Sequence, residues 1–152
     1  MTRIAYAFEL KNDFSELDRL CRNCDTVGES MGLSKKLIFE MNLALDEMFT
    51  NIISYGFQDD KEHIIRIDIA MEHNELQIRI QDDGIPFDPV MAEDPNLTCR
   101  IYDCKIVGLG IHLIKKLMDE IRYERANDMN VLYLKKHIPS PEPAKKKRKP
   151  KK

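Results

Sequence analysis

The sequence predicts an α+β fold in one domain, with a sheet that is at least partly antiparallel. Strand-like alternation of apolar and polar residues occurs in five stretches, at residues 3–10, 63–71, 76–81, 121–125 and 130–136. Helix-like spacing of apolar residues occurs in three others, at residues 13–31, 35–55 and 110–120. His73-Asn74 and Asn127-Asp128 lie between successive strands, and such short turns predict β-hairpins, whose strands are antiparallel.

The first two predicted helices have boundary signals. Asp13 followed by Glu16 resembles a capping box, so the first helix should begin there and run to about Met31. Ser34 can cap the second helix, and Gly56 helps to end it.

The composition is that of a globular protein, with 43% hydrophobic and 33% charged residues. There is no run of about eighteen apolar residues, and the first residues alternate instead of forming an apolar signal segment. We therefore expect a cytoplasmic protein with no membrane span and no export signal. Cys21 and Cys24 have a spacing that suits zinc, but both fall within a helical pattern, where packing as small apolar residues is the simpler explanation.

Charge divides the chain into an acidic body and a basic end. Residues 145–152, KKKRKPKK, carry seven of the 24 Lys and Arg residues and no acid, which leaves 17 basic against 26 acidic side chains in the rest. An acidic body disfavours nucleic-acid binding, since phosphate neutralisation supplies most non-specific affinity. We therefore expect a folded domain at residues 1–138 and a disordered tail at residues 139–152. The tail could be a nuclear-localisation-like signal, contact nucleic acid or an acidic partner, or simply aid solubility.

Glu47 and Asn51 form the first candidate functional feature. They lie four residues apart in the second helix, so they project together from a face next to its apolar arc. A carboxylate beside a carboxamide can accept a proton from an attacking hydroxyl or water and offer a hard oxygen to Mg²⁺. The alternative is an ordinary solvated helix face.

A second feature follows the strand at 76–81, where the chain continues as Asp82-Asp83-Gly84-Ile85-Pro86. A carboxylate held at a strand end can accept a hydrogen bond from a ligand amine, and Gly84 would let that ligand approach the backbone. The alternative is a rigid turn that simply leaves the sheet.

The third feature is the glycine pair in Val107-Gly108-Leu109-Gly110-Ile111, where the third helix is predicted to begin. Glycines at the start of a helix let backbone N–H groups and the helix dipole face an anion, most often phosphate. The preceding residues 90–107 show no steady period, and a loop of this length in a compact domain is usually functional or mobile.

Taken in order, the E-x-x-x-N helix, the strand ending in D-x-G and the G-x-G loop resemble the N, G1 and G2 boxes of the GHKL ATPase superfamily, which includes gyrase, histidine kinases and mismatch-repair ATPases. More narrowly, ALDEMFTNIISYGF, QDDGIPFDP and VGLGIHLIKKLMDEIRYER look like the stand-alone anti-sigma factor serine-protein kinases. The resemblance spans about residues 5–137. It implies an α+β two-layer sandwich, the histidine-kinase-like ATPase fold, in which three helices cover one face of a mixed, mostly antiparallel sheet.

The resemblance also implies roles for individual residues toward ATP and Mg²⁺. Glu47 would be the general base, and Asn51 would hold the Mg²⁺ that bridges the phosphates. Asp82 would accept the adenine amino group, and Gly84 would let the ring approach. The remaining expected contacts are to phosphate, from the backbone N–H groups of Gly108 and Gly110 and from Arg100 or Lys105 in a lid at residues 95–107.

The function implied by the resemblance is ATP-dependent phosphorylation of a STAS-type anti-sigma factor antagonist on serine or threonine. The protein would also sequester a sigma factor or another regulator, and a homodimer paired through the first strand is expected. No membrane contact is expected, and nucleic acid is expected at most at the basic tail. A second hypothesis is a nucleotide-responsive regulatory binding module that never transfers phosphate.

Two positions depart from the family pattern. Pro86 replaces the second glycine of the superfamily's D-x-G-x-G, which makes that turn more rigid. Tyr55 stands where relatives commonly have His, so its role is left open.

Overall fold

The structure, a computed structural model, describes residues 3–89 and 106–139. Its elements in chain order are β1 (Ile4–Lys11), a 3₁₀ turn (Phe14–Glu16), α1 (Leu17–Ser30), α2 (Lys35–Tyr55), β2 (Ile64–Glu72), β3 (Glu75–Asp82), α3 (Ile106–Leu117), β4 (Glu120–Ala126) and β5 (Met129–His137). The strand order is β1-β2-β3-β5-β4, and all neighbours are antiparallel. The predicted α+β class is confirmed, and the described strands include no parallel pair of the kind that a mixed sheet contains.

Both predicted hairpins form at the expected turns. His73 and Asn74 between β2 and β3 have φ angles of 50° and 60°, and Asn127 and Asp128 between β4 and β5 have φ angles of 53° and 61°. Two consecutive positive φ angles are characteristic of a type I′ turn, whose twist matches that of the adjoining strands. These turns therefore set the register of both hairpins.

The first helix begins later than the sequence suggested. Asp13 accepts a hydrogen bond from the N–H of Ser15 at 2.9 Å and caps only the 3₁₀ turn, so α1 starts at Leu17. Glu16 does not complete a capping box, because its carboxylate accepts a hydrogen bond from the N–H of Lys11 at 3.0 Å. The backbone N–H of Lys11 thus takes the place that the backbone N–H of Asp13 would have in a capping box.

The second helix has the boundaries that its signals predicted. The hydroxyl of Ser34 accepts a hydrogen bond from the N–H of Leu37 at 3.2 Å. At the other end, Gly56 donates its N–H to the carbonyl of Ile52 at 2.8 Å. The helix that carries the first candidate feature therefore runs unbroken for 21 residues.

The helices cover one face of the sheet, and the core lies between the two layers. Its fully buried members include alternating isoleucines of β2 and β3 and the apolar arc of α2, namely Ile65, Ile67, Ile69, Ile78, Met41, Leu45 and Phe49. Cys24 of α1 packs in this core, as its helical pattern predicted, and burial raises the pKa of its thiol to about 12. The same prediction was wrong for Cys21, which is exposed. Within residues 3–89 and 106–139, no helix is long and apolar enough to cross a membrane. Residues 140–152 of the predicted tail lie outside the described residues. The other two cysteines of the chain, Cys99 and Cys104, also lie outside them.

Candidate functional site

Glu47 and Asn51 of α2 meet Gly110 of α3. A Cβ built on Gly110 would collide with Oε2 of Glu47 and would lie 3.5 Å from Nδ2 of Asn51. Because Gly110 has no side chain, α3 approaches both side chains closely with Glu47 in this position, and a larger residue would require the Glu47 carboxylate to move. Asn51 is only 8% exposed, so this face of α2 is not an ordinary solvated face.

The amide nitrogen of Asn51 is buried and has no hydrogen-bond partner among the described residues. In the part of the chain that the structure describes, its Nδ2 is one of two buried side-chain nitrogens that lack one. Such an atom costs about 1–3 kcal/mol of stability. The amide can turn to present either its oxygen or its nitrogen, and its oxygen and the Glu47 carboxylate are both hard donors. The residues present therefore fit a magnesium–phosphate group, which would supply the missing partner.

The third helix begins at Ile106, four residues before the predicted start, so Gly108 and Gly110 both lie inside it. The first four N–H groups of a helix have no partner within the helix, and Gly108 carries one of these. Gly110 is the fifth residue, where an α-helix uses the N–H for its own hydrogen bond. What the structure shows at Gly110 is therefore its close approach to Glu47 and Asn51, not a free N–H group. The predicted phosphate contacts of Gly108 and Gly110 stay predictions. Arg100, Lys105 and most of the predicted lid lie outside the described residues.

Asp82 is the last residue of β3, and it is buried at 5% exposure. Its Oδ1 accepts hydrogen bonds from the N–H of Gly84 at 2.9 Å and from Nδ2 of Asn130 at 3.0 Å. Burial raises the pKa of this carboxyl above its ordinary value, although the two hydrogen bonds oppose the shift. Both bonds end on Oδ1, so Oδ2 is the oxygen that can accept a hydrogen bond from a ligand amine.

Gly84 joins the end of β3 to the end of α2. A Cβ built on Gly84 would collide with the carbonyl oxygen of Gly56 and would lie 2.8 Å from Oδ1 of Asp82. The same carbonyl of Gly56 accepts a hydrogen bond from the N–H of Ile85 at 2.8 Å. The first two candidate features, distant in sequence, therefore meet at one edge of the fold.

A cleft at this edge is lined by Asn51, Asp82, Tyr55, Phe87 and Asn130, among others. Its free volume is about 30 Å³, whereas small-molecule sites usually have about 300–1,000 Å³. A nucleotide base could enter only if some of the lining side chains moved. Phe87 lines the cleft and is 40% exposed, so its side chain has room to move.

The residues that hold Asp82 in place were not predicted from the sequence. Besides donating to Asp82, Asn130 of β5 accepts hydrogen bonds from the hydroxyl of Tyr123 at 2.5 Å and from Nη1 of Arg125 at 3.1 Å. Nη1 of Arg125 also donates to the carbonyl of Gly84 at 2.7 Å. This network holds the Asp82 carboxylate and the following turn in place. The available signal was an asparagine at a core-facing position of a strand, because a buried amide needs partners.

His63 fastens the loop before β2 to the turn that follows Asp82. Its Nδ1 lies 2.9 Å from Oδ1 of Asp83, its Nε2 lies 2.6 Å from Oδ1 of Asp59, and its ring stacks on Phe57 with centroids 4.2 Å apart. Ionised carboxylates only accept hydrogen bonds, so both contacts form fully only when both ring nitrogens carry protons. The hydrogen bond to Asp59 is the main reason that the pKa of His63 is raised above 6.5.

We expect His63 to make stability depend on pH. A histidine whose pKa is raised on folding contributes stability that is fully present below its unfolded pKa and is lost as pH rises through the folded value. The urea midpoint of the natural protein should therefore fall between about pH 6 and pH 8.5, and that of His63→Gln should fall less. The control is His73→Gln, since the His73 side chain is 71% exposed. Equal pH slopes for the natural protein and His63→Gln would contradict the prediction.

The chain is similar to one family model and to several known proteins. The model of the histidine kinase-like ATPase domain family matches residues 10–136. The chain is 30% identical over 104 residues to serine/threonine-protein kinase BtrW of Bordetella bronchiseptica, a match that covers 68% of this chain and 73% of the relative. It is 31% identical over 102 residues to the anti-sigma F factor of Priestia megaterium, covering 65% and 69%. It is also 24% identical over 140 residues to serine-protein kinase RsbW of Listeria monocytogenes, covering 88% and 86%.

Proposed function

This chain belongs to the histidine kinase-like ATPase domain family, and from that membership we propose that it is an ATP-dependent serine/threonine-protein kinase of the anti-sigma factor type. It phosphorylates an anti-sigma factor antagonist and binds a sigma factor. The observation that carries the proposal is that Glu47 and Asn51, whose Nδ2 lacks a hydrogen-bond partner among the described residues, meet at Gly110. Mg²⁺ as the metal and a STAS-type antagonist as the substrate are the finer parts of the proposal.

Glu47 is proposed as the general base. The proton of the acceptor hydroxyl passes to a carboxylate oxygen of Glu47 while the hydroxyl oxygen bonds to the γ-phosphorus. The bond from that phosphorus to the oxygen it shares with the β-phosphate breaks, and ADP leaves. Asn51 would hold Mg²⁺, which supplies charge neutralisation at the phosphates when bound. Gly110 keeps α3 against both side chains and so limits their movement.

Asp82 is proposed to recognise adenine. Its Oδ2 accepts a hydrogen bond from the adenine amino group, and Gly84 lets the ring approach the backbone. Asn130 and Arg125 hold this turn in place through the hydrogen bonds described above. Gly108, and Arg100 or Lys105, are proposed phosphate contacts on the evidence of the family resemblance alone.

Asn51→Ala tests whether the nucleotide site exists. Mg-ATP at about 100 times its Kd should stabilise the natural protein by roughly 2.7 kcal/mol, which for a domain of this size raises Tm on the order of 5–10 °C. We expect that rise to be lost in Asn51→Ala, because the variant lacks the proposed ligand oxygen. Thermal unfolding with and without Mg-ATP measures the effect.

The matched control is Asn42→Ala, which removes an amide of the same helix. Nδ2 of Asn42 donates to Asp25 at 2.8 Å, so this change costs stability away from the candidate site and should keep the ATP-dependent rise. Equal rises in Asn51→Ala and the natural protein would contradict the role of Asn51. No rise in any of the three proteins would contradict ATP binding.

A homodimer paired through β1 is also part of the proposal. This strand forms one edge of the sheet, and its apolar residues Ile4 and Tyr6 are 38% and 37% exposed. A second copy could cover them and pair with the free edge. Analytical ultracentrifugation is expected to show a dimer at micromolar concentration, and a monomer under those conditions would oppose this arrangement.

A further inference from the structure

A groove of about 610 Å³ runs between α1 and α2, away from the candidate catalytic site. Its wall is mainly apolar and includes Leu20, Ile38 and Leu43. Phe39, which is 65% exposed, also lines the groove. A concave site of this volume, with a mainly apolar wall and a few polar groups, is typical of a binding site.

The groove also has an acidic lining. Asp25, Glu29 and Asp46 line it, against a single cation, Lys35. Among the residues that the structure describes, neither Glu29 nor Asp46 forms an ion pair. Neighbouring groups desolvate Asp46 enough to raise the pKa of its carboxyl above the ordinary value, although its side chain is exposed. The groove therefore suits a segment that combines positive charge with apolar groups.

Such a segment follows the last described residue of this chain. Nζ of Lys136, near the end of β5, lies 3.4 Å from Oε2 of Glu40, so β5 ends beside the N-terminal half of α2. Residues 140–152 continue from there, and in an extended polyproline conformation they could reach about 40 Å. A helix with its side chains is only about 10–12 Å wide. The basic end of the chain can therefore cross α2 and reach the groove.

We propose that residues 145–152 of this chain dock in the groove between α1 and α2. The positive ends of the Lys and Arg side chains pair with Asp25, Glu29 and Asp46. Their aliphatic stems cover the apolar wall, and a cation lies over the exposed ring of Phe39. Docking neutralises part of the acidic body and covers a surface that a protein partner could otherwise use.

Zero-length cross-linking of the full-length chain with a water-soluble carbodiimide tests the proposal. The reagent activates a carboxylate, and a lysine amine that lies against it then forms an amide bond. In monomer purified after the reaction, peptide mapping is expected to find tail lysines joined to Glu29 and Asp46. These links should exceed links to Asp60 and Asp128, exposed acids in loops away from the groove, by on the order of tenfold. They should disappear at 1 M salt, since the screening length falls from about 30 Å at 0.01 M to about 3 Å.

The matched variant is Glu29→Gln with Asp46→Asn, which keeps the shape of two exposed side chains. Its amides cannot react with the carbodiimide, so the readout is Asp25, the groove acid that the variant keeps. Links from the tail lysines to Asp25 should fall, while background links to Asp60 and Asp128 stay unchanged. Links found only in covalent dimers would assign the occupant to a second copy. Equal numbers of links to Glu29, Asp46, Asp60 and Asp128, or no links at all, would show that the tail does not occupy the groove. A basic helix of a partner protein would then be the alternative occupant. Links found only in covalent dimers, equal numbers of links to all four acids, or no links would each overturn the proposal.

Discussion

Replacing Glu47 with Gln is expected to lower the turnover of phosphate transfer by about 10²–10⁴-fold and to leave nucleotide binding nearly unchanged. The amide has the shape of the carboxylate but cannot take the proton from the acceptor hydroxyl. Transfer of labelled γ-phosphate to the serine of an antagonist protein gives the turnover. The Mg-ATP-dependent rise in Tm gives binding on the same samples.

Glu40→Gln is the matched control for this experiment. Glu40 lies two turns before Glu47 on nearly the same face of α2, about 10 Å away along the axis, and pairs with Lys136. Its loss should lower stability slightly and leave turnover unchanged. If Glu47→Gln transferred phosphate as fast as the natural protein, Glu47 would not be the base. If the natural protein bound ATP without transferring phosphate, the regulatory binding module would be the better description.

Gly84→Ala is expected to lower the free energy of unfolding by about 1–3 kcal/mol and to abolish the rise in Tm with Mg-ATP. The new methyl group would collide with the backbone carbonyl of Gly56, which cannot turn aside as a side chain can. The turn must therefore separate from the end of α2, and Asp82 moves with it. Urea unfolding measures the first effect, and thermal unfolding with Mg-ATP measures the second.

Gly32→Asn provides the contrast. Gly32 has a φ of +72°, which asparagine tolerates better than other residues with a side chain, and nothing lies within 4 Å of a Cβ built there. The expected cost is below about 1 kcal/mol, with a normal response to Mg-ATP. A Gly84→Ala protein as stable and as responsive as the natural one would show that the contact with Gly56 is not needed.

Features that depend on short stretches of chain were predictable. Alternating isoleucines mark β2 and β3, and the turn at His73 and Asn74 joins them, because strand period and turn geometry involve only neighbouring residues. The spacing of Glu47 and Asn51 needed only helix geometry. The position of Asp82 at a strand end needed only the change of pattern after residue 81.

Features that depend on contacts between distant segments were missed or misplaced. The first helix starts at Leu17 because Glu16 bonds to Lys11 at the end of β1 instead of completing a cap with Asp13. Asn130 is 48 residues from Asp82 and meets it only because β5 pairs with β3. No local sequence pattern in β3 or β5 predicts that these two strands pair.

The amino-acid order alone thus determined the class of fold, the main helices and strands, and the residue types available for phosphate chemistry, since these follow from periodicity over a few residues. Only packing of the whole chain decided that Gly110 approaches Glu47 and Asn51, that Gly84 rests on Gly56, and that an acidic groove opens between α1 and α2. The physical reason is steric. Contact distances between elements are set by all the side chains that fill the core, and no single stretch of sequence carries that information.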